Sequence, residues 1–265
     1  TVPSLTSKIE AQFVSSFPAL IAESRSVWLL CGDSSQLPAI PENSVDLVIT
    51  DPPYFDSIHY SELSNFFYVW LRLLIQHEYF AAEQVATTAE AMVNQRMAKG
   101  ESEYQELLTR VFQESHRVLK ASGKLIFTFL HTQWRAWWTV LQALICSGFQ
   151  VTDSFPVKSE YKVNPHIRNK QALDMDLVLV CQKQSPLGSP LLGKTPATIL
   201  QQIVRELDEE ELRQISDNQL FLHFMGELLK LASTTQPDNP IDYHWFAGAL
   251  TYFDEFKPTL IRVKS

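Results

Sequence analysis

This sequence of 265 residues lacks several sequence features, and each missing feature excludes a class of protein. Its eight glycines nowhere form the pair Gly-x-Gly, so it lacks the glycine-rich turn through which a backbone closely approaches a bound nucleotide. Its apolar runs are far shorter than the roughly 20 residues that cross a bilayer. No signal-peptide pattern opens the chain. We therefore expect a cytoplasmic protein without a membrane partner.

The cysteines are too few and too scattered for a disulfide framework. There are three, Cys31, Cys146 and Cys181, and each falls in an apolar strand or helix pattern. We expect all three to be reduced and buried, with a structural role only. Because the cysteines are unclustered and no pair of histidines has the spacing of a zinc motif, we expect no metal site.

Positive charge is also scarce, because 22 lysines and arginines face 30 acidic residues and leave a net charge of −8. This balance argues against a protein that simply coats nucleic acid, since such proteins are usually basic. One stretch is locally basic, with a single acidic residue, Glu160. Its basic residues are Lys158, Lys162, Arg168 and Lys170. It either contacts the phosphates of DNA or is an ordinary charged surface loop.

The apolar spacing predicts an α/β fold in three parts. We expect an N-terminal helical segment at 1–26, a central domain at 27–184 and, after a linker rich in serine and proline, a helical region at 185–265. In the central domain the predicted strands are 27–30, 45–50, 124–130, 149–157 and 176–182, and the predicted helices are 60–76, 102–119 and 134–147.

Two segments of the central domain have alternative interpretations. The helix at 60–76 carries an apolar, partly aromatic stripe that either packs into the core or stacks on nucleic-acid bases, and its continuous helical spacing favours the core. Residues 77–100 have no clear period and form either a mobile lid or DNA-facing loop, or a solvated insertion.

The most specific chemistry lies in Asp51-Pro52-Pro53-Tyr54, directly after the apolar strand at 45–50. Loops at the carboxyl ends of strands are where open α/β sheets bind ligands. The two prolines fix a rigid turn and lack N–H groups. The Asp51 carboxylate and the Pro52 carbonyl can accept hydrogen bonds from an amine, and the Tyr54 ring can stack on a flat heterocycle.

This stretch resembles the Asp-Pro-Pro-Tyr signature of S-adenosylmethionine-dependent amino-methyltransferases, which methylate exocyclic amines of nucleic-acid bases. With its flanks at 45–56 and 60–72 it is similar to the large prokaryotic proteins assigned as adenine-specific DNA methylases, over roughly residues 25–183. The resemblance implies a Rossmann-like methyltransferase sheet with an antiparallel edge. It also implies S-adenosylmethionine as the cofactor and the N6 amine of an adenine, flipped out of DNA, as the acceptor.

The same resemblance implies roles for single residues. The catalytic loop then consists of Asp51, Pro52, Pro53 and Tyr54. Phe55 is either a second wall of the base pocket or part of the core.

One further residue, Asp33, matches the acidic position that contacts the cofactor after an earlier strand. Its neighbour Gly32 is assigned to the same cofactor site. The alternative for Asp33 is a residue that closes an Asx turn.

The resemblance fails at the glycine-rich cofactor turn, which this chain lacks. Only about 25 residues precede the first predicted strand, whereas one strand–helix–strand unit takes roughly 30. We therefore expect a partial cofactor site that a missing N-terminal portion or a partner protein completes. The chain is then the C-terminal part of a larger methylase, a subunit that meets its other half in trans, or a degenerate remnant.

Other functions stay open at this point. Methylases of RNA bases and of protein glutamine use similar motifs, although their flanks match less well, and we expect DNA rather than RNA as the partner. A non-catalytic subunit of a DNA restriction or phage-defence system would not need the glycine turn at all.

Overall fold

The structure is a computed structural model that describes residues 10–75, 77–158, 175–184, 195–206, 215–234 and 241–263, with side chains up to residue 256 in the last range. The strands are β1 (Gln12–Phe13), β2 (Ser26–Val27), β3 (Val45–Thr50), β4 (Leu119–Phe129), β5 (Phe149–Lys158) and β6 (Met175–Lys183). The helices are α1 (Phe17–Ala22), α2 (Tyr60–Leu74), α3 (Glu101–Val118), α4 (Trp134–Cys146), α5 (Pro196–Glu206), α6 (Asp217–Ser233) and α7 (Tyr243–Val263).

The main sheet has four strands in the order β3-β4-β6-β5. β3 and β4 are parallel, whereas β6 is antiparallel to both of its neighbours, β4 and β5. In one row across the sheet Ile49 lies beside Ile126, and Ile126 beside Val180. The predicted α/β class and the antiparallel edge are therefore confirmed. β1 and β2 form a separate two-stranded parallel sheet.

Helices α3, α4 and α6 cover one face of the main sheet. Phe112 of α3 contacts Phe127, and Trp137 of α4 contacts Phe129, with ring centroids 5.3 and 4.9 Å apart. Helix α6 comes so close to β5 that a Cβ on Gly226 would lie 2.1 Å from the Ser154 hydroxyl oxygen. This close approach requires glycine.

The predicted helical C-terminal region is confirmed by α5, α6 and α7. All three contribute to the same core as the sheet, through residues such as Ile203, Phe224 and Phe246. Helix α6 begins at the cap Ser216, whose side chain accepts a hydrogen bond from the Gln219 N–H. No helix in the described part of the chain combines the length and the apolar character that crossing a bilayer requires.

The structure corrects the prediction for the N-terminal segment. Its described part holds only the six-residue helix α1 between two short strands, and the strand predicted at 27–30 is limited to Ser26–Val27. Leu29 and Leu30 are exposed. Their apolar run resembles a buried strand in sequence, but β2 pairs with β1 and takes no part in the main sheet.

Two of the three predicted buried cysteines are exposed. Cys181 is buried in β6, whereas Cys31 and Cys146 are at the surface, and all three are free thiols. Apolar neighbours in the sequence predicted burial, but the position of each cysteine relative to the core decides its exposure.

The helix predicted at 102–119 and the strand predicted at 124–130 are not separated, because α3 passes directly into β4 at Leu119. Gly123 lies inside β4 and does not cap a helix. A Cβ there would lie 2.9 Å from the Leu119 side chain and 3.2 Å from the Asp46 carbonyl oxygen, so glycine permits the close contact between β4 and β3.

The aromatic stripe of α2 does not pack into the described core, contrary to the prediction. The helix forms as its period indicates, but Phe66, Phe67, Trp70 and Leu74 are each more than half exposed. Period alone does not determine which elements cover a helix, and none of the described residues covers this stripe.

Candidate functional site

The catalytic loop predicted from the sequence begins where β3 ends. Asp51 is exposed and Pro52 is buried. One oxygen of the Asp51 carboxylate, Oδ1, accepts a hydrogen bond from the hydroxyl of Thr128. Thr128 lies near the end of β4, which runs parallel to β3, so both residues lie at the same edge of the sheet. Thr128 could not be predicted as a site residue from the sequence, because only the pairing of the two strands brings it to Asp51.

Tyr54 lies within reach of both Asp51 and Thr128. Burial raises the pKa of the Tyr54 hydroxyl well above its usual value; the Thr128 hydroxyl opposes this shift, and the Asp51 carboxylate adds to it. The ring is fixed edge-on against Phe129, with ring centroids 5.4 Å apart. Tyr54 is therefore a neutral phenol in a fixed position beside the carboxylate.

A second carboxylate, Asp176, approaches the same site from the start of β6. Burial raises the pKa of Asp176, and the negative charge of Asp51 raises it further. In the sequence, Asp176 is only the first residue of a predicted strand. Because β6 runs antiparallel beside β4, its first residues meet the end of β4, and that pairing is a tertiary property.

The turn after Asp51 has an unusual backbone. Phe55 has φ of 53°, in the left-handed region that non-glycine residues rarely adopt. Its side chain is only 3% exposed, and its ring centroid is 5.3 Å from those of Tyr104 and His131. Phe55 therefore anchors the loop in the core, which was one of its two predicted alternatives. Strained backbone held by its surroundings is frequent at functional sites.

Hydrogen bonds fix the carbonyls around this turn. The Pro53 carbonyl accepts from the Tyr104 hydroxyl at 3.0 Å, and the Phe55 carbonyl accepts from the Val93 N–H at 2.9 Å. Among the described residues, none donates to the carbonyl of Pro52. The acceptor that the sequence analysis assigned to a substrate amine is thus not used by the described part of the chain.

His131 supports the loop from the end of β4 and is buried. Its Nδ1 accepts from the Gln133 N–H at 3.0 Å, so Nε2 carries the proton and donates to Asp56, 2.8 Å away. Its carbonyl accepts from the Trp137 indole N–H at 2.8 Å. His131 therefore connects the residues that follow Tyr54 to helix α4.

Residues 77–100 form an ordered collar beside this loop. The buried Lys99 ammonium donates to the carbonyls of Thr87 at 3.3 Å and Thr88 at 3.2 Å, and to that of Glu90. Burial lowers the pKa of Lys99, and the charge of Glu90 opposes the shift. Because its interior is anchored in this way, the segment is not a fully solvated insertion.

The predicted cofactor residues are not joined to this cluster. The Asp33 carboxylate accepts from the Ser35 N–H at 2.8 Å, which is the Asx turn of the alternative interpretation. A Cβ on Gly32 would meet no atom of the described residues within 4 Å, so none of these residues forms a cradle around it. The described residues therefore do not fit S-adenosylmethionine as a complete site.

The predicted phosphate contacts are divided between described and undescribed parts of the chain. Lys158 is exposed at the end of β5. Lys162, Arg168 and Lys170 lie outside the described residues. Within the described ranges, no group of three or more histidine, cysteine or acidic side chains could hold a metal ion.

Comparison with known proteins gave similarity to solved structures only; no family model and no curated protein matches the chain. One similar structure is the PvuII DNA methyltransferase, which is cytosine-N4-specific (17% identity, TM-score 0.34). That alignment covers 57% of this chain and 47% of the methyltransferase, so the chain spans about half of its length.

Two further structures show similarity of the same degree. One is a protein of Thermus thermophilus assigned as a DNA modification methylase (16% identity, TM-score 0.33, 73% of this chain and 72% of that one). The other is the cyclase SpnF (16% identity, TM-score 0.31, 63% of this chain and 60% of that one).

Proposed function

We propose that this chain is the part of an S-adenosylmethionine-dependent DNA methyltransferase that binds the amine to be methylated. One observation carries the proposal: the Asp51 carboxylate is held by Thr128 at the carboxyl end of β3, beside the neutral Tyr54 phenol and the Pro52 carbonyl. This is the place where an open α/β sheet binds its ligand.

The chemistry of these groups suits an exocyclic amine of a base. Such an amine is a poor nucleophile, because its lone pair is delocalised into the ring. Hydrogen bonds from its two N–H groups to the Asp51 carboxylate and the Pro52 carbonyl free the lone pair and direct it away from the ring plane. The carboxylate also stabilises the positive charge that develops on the nitrogen. Since Asp51 is exposed, a proton released by the amine can pass through it to water.

We propose DNA as the substrate and the N6 amine of adenine as the acceptor. In enzymes with this motif, aspartate at the first position is more often found with adenine and serine with cytosine. A base inside the duplex cannot reach Asp51, so it must be flipped out, and we propose that the Tyr54 ring stacks on the flipped base. The proposed contacts to the DNA phosphates are Lys158, Lys162, Arg168 and Lys170.

We propose that a partner polypeptide holds S-adenosylmethionine, which supplies an electrophilic methyl group when bound. Two features support this. Among the described residues no strand pairs with the outer edge of β3, and Leu47 and Ile49 are exposed on the sheet face opposite the helices. By the strand register, Thr128 lies on that same face. A partner that covered this face would therefore also close the site around Asp51.

The test compares Asp51→Ala with the unaltered chain in the native host, where any partner is present. A host lacking the gene is complemented with each version, and methylated bases in its DNA are quantified by mass spectrometry. We expect the unaltered chain to restore N6-methyladenine and Asp51→Ala to restore little of it, because the loss of a charge-stabilising group slows the chemical step by about a hundred- to a thousandfold.

Asp46→Ala is the matched control. Asp46 is an exposed aspartate of β3, the strand that Asp51 follows, and its partner is Lys120. This variant should leave the methylated fraction unchanged. Equal N6-methyladenine with Asp51→Ala and with the unaltered chain would refute the assignment. N4-methylcytosine in its place would correct the base and keep the reaction.

A non-catalytic interaction subunit is the second candidate function, favoured by the exposed apolar residues Leu47 and Ile49. Calorimetry with S-adenosylmethionine and the isolated chain distinguishes whether this chain holds the cofactor itself. For a non-catalytic subunit we expect two results. The Asp51→Ala variant restores methylation, and the isolated chain does not bind S-adenosylmethionine.

A further inference from the structure

An ordinary surface helix turns its apolar face towards the protein and its polar face towards solvent. Helix α2 has the reverse arrangement. Ser61, Asn65 and Tyr68, spaced four and three residues apart, share one face, which is turned towards the protein. Ser61 donates to Glu90 at 2.6 Å, Asn65 accepts from the Val85 N–H and Tyr68 donates to a carbonyl of the collar. The polar face is thus the anchored one.

The apolar face of α2 is exposed as a consequence. The α2 stripe comprises Leu63, Phe66, Phe67, Trp70, Leu73 and Leu74, each between 58% and 80% exposed. At about 150–250 Å² for a large side chain, these fractions correspond to roughly 800 Å² of apolar surface. The largest apolar patch of a typical monomer is about 300–600 Å².

The spacing of the α2 stripe suits another helix better than a flat surface. Leu63, Phe66, Trp70 and Leu73 follow one another at intervals of three, four and three residues, the pattern of a two-helix seam. Every residue of the α2 stripe is uncharged, so two copies of it can face each other without repulsion. A patch that pairs with itself gives a closed twofold dimer.

We propose that the α2 stripe is a homodimer interface, occupied by the same stripe of a second copy of this chain. Roughly 800 Å² per partner is what a stable protein–protein interface of standard size buries. Its aromatic content and its lack of charge are typical of the centre of an interface. Hydrogen bonds to the collar hold α2 in place, so the surface is formed before the second copy binds.

Two other occupants fit the α2 stripe less well. Helices that lie on membranes carry many lysines and arginines on their polar face, whereas Arg72 is the only basic residue of α2. Surfaces that stack on single-stranded nucleic acid likewise combine aromatic residues with cations along the backbone path. A protein surface with the same apolar character is the chemical complement.

Sedimentation of the 265-residue chain over a wide range of concentrations tests the proposal. We expect the mass to rise with concentration from the monomer's 30.3 kDa to twice that value and to stop there. Phe67→Glu and Trp70→Glu should each weaken the dimer at least about tenfold, because each buries a charge within the paired α2 stripes.

Ile49→Glu is the matched control, because Ile49 is an equally exposed apolar residue on the edge strand β3. It should leave the dimer unchanged. Both α2 side chains are exposed in the monomer, so these variants are expected to fold, and their circular dichroism spectra and melting temperatures check this. A monomer at every concentration, a mass that grows beyond the dimer, or a dimer weakened by Ile49→Glu and not by Trp70→Glu overturns the proposal.

Discussion

Single residues far away in the sequence hold the candidate catalytic loop. Tyr104 lies 51 positions after Pro53 and His131 lies 75 positions after Asp56, yet each is hydrogen-bonded to its partner in the loop. Phe55 completes the anchor, because its ring packs edge-on against those of Tyr104 and His131. The loop therefore depends on contacts that its own sequence does not show.

Tyr104→Phe tests this anchor. The variant removes the hydroxyl that donates to the Pro53 carbonyl and leaves that part-buried acceptor without its donor. We expect the free energy of unfolding, measured by urea titration, to fall by about 1–2 kcal/mol. Tyr60→Phe, at an exposed position, should be neutral. Equal stability of Tyr104→Phe and the unaltered chain would mean that the bond contributes nothing.

Asp176→Asn tests the second carboxylate of the site. Because burial and Asp51 raise the pKa of Asp176 in the folded protein, the unaltered chain loses stability as pH rises from the ordinary value of 3.8 through the folded pKa. Asparagine does not ionise. We therefore expect the variant to be more stable at pH 7, by at most about 1 kcal/mol after solvent screening, with no gain below the ordinary pKa.

Thermal melts from acid to neutral pH measure this difference, with Asp254→Asn as the exposed control. A variant that is less stable than the unaltered chain at pH 7 would show that the Asp176 carboxylate makes a net favourable contact.

At the scale of elements, helix α3 fixes the segment that enters β3. Arg117 donates to the carbonyls of Leu37 at 2.9 Å and Ile40 at 3.0 Å. Glu114 accepts from the Leu37 N–H at 2.6 Å and pairs with Arg117 at 2.7 Å. These contacts position the start of the strand that ends at Asp51.

Glu114→Gln tests this clamp through its pH dependence. The bond from Arg117 holds the pKa of Glu114 below its ordinary value of 4.5. A lowered folded pKa contributes stability that is present above about pH 4.5 and is lost as pH falls through the folded pKa. We expect the variant to be less stable at pH 7 by about 0.5–1.5 kcal/mol, and the difference to vanish in acid.

The surface pair of Glu106 and Arg110, 3.3 Å apart, provides the control for Glu114→Gln. Glu106→Gln should change the stability by less than about 0.5 kcal/mol. A difference between Glu114→Gln and the unaltered chain that persists at low pH would assign the effect to packing instead of charge.

At the scale of the whole molecule, the sheet is covered on one side only by described helices. Leu47, Ile49 and Phe155 are exposed on the opposite face, although sheets with parallel strands are usually covered on both faces. The α2 stripe is a second exposed apolar surface. The partner proposed for the open sheet face and the dimer proposed for the α2 stripe would each cover one of these two surfaces.

The sequence by itself determined the features that depend on neighbouring residues. Strand β3, helices α2 and α3, and the rigid turn at Asp51-Pro52-Pro53-Tyr54 could be predicted because period and proline content are local properties. The missing glycine-rich turn was equally visible.

Only the tertiary structure decided which surfaces are covered and which distant residues meet. The pairing of β4 and β6 with β3 brings Thr128 and Asp176 to Asp51, and no local pattern encodes that pairing. Likewise, the period of α2 predicts an apolar stripe but not its partner. Burial depends on the elements that fold against a residue, and among the described residues none folds against the α2 stripe.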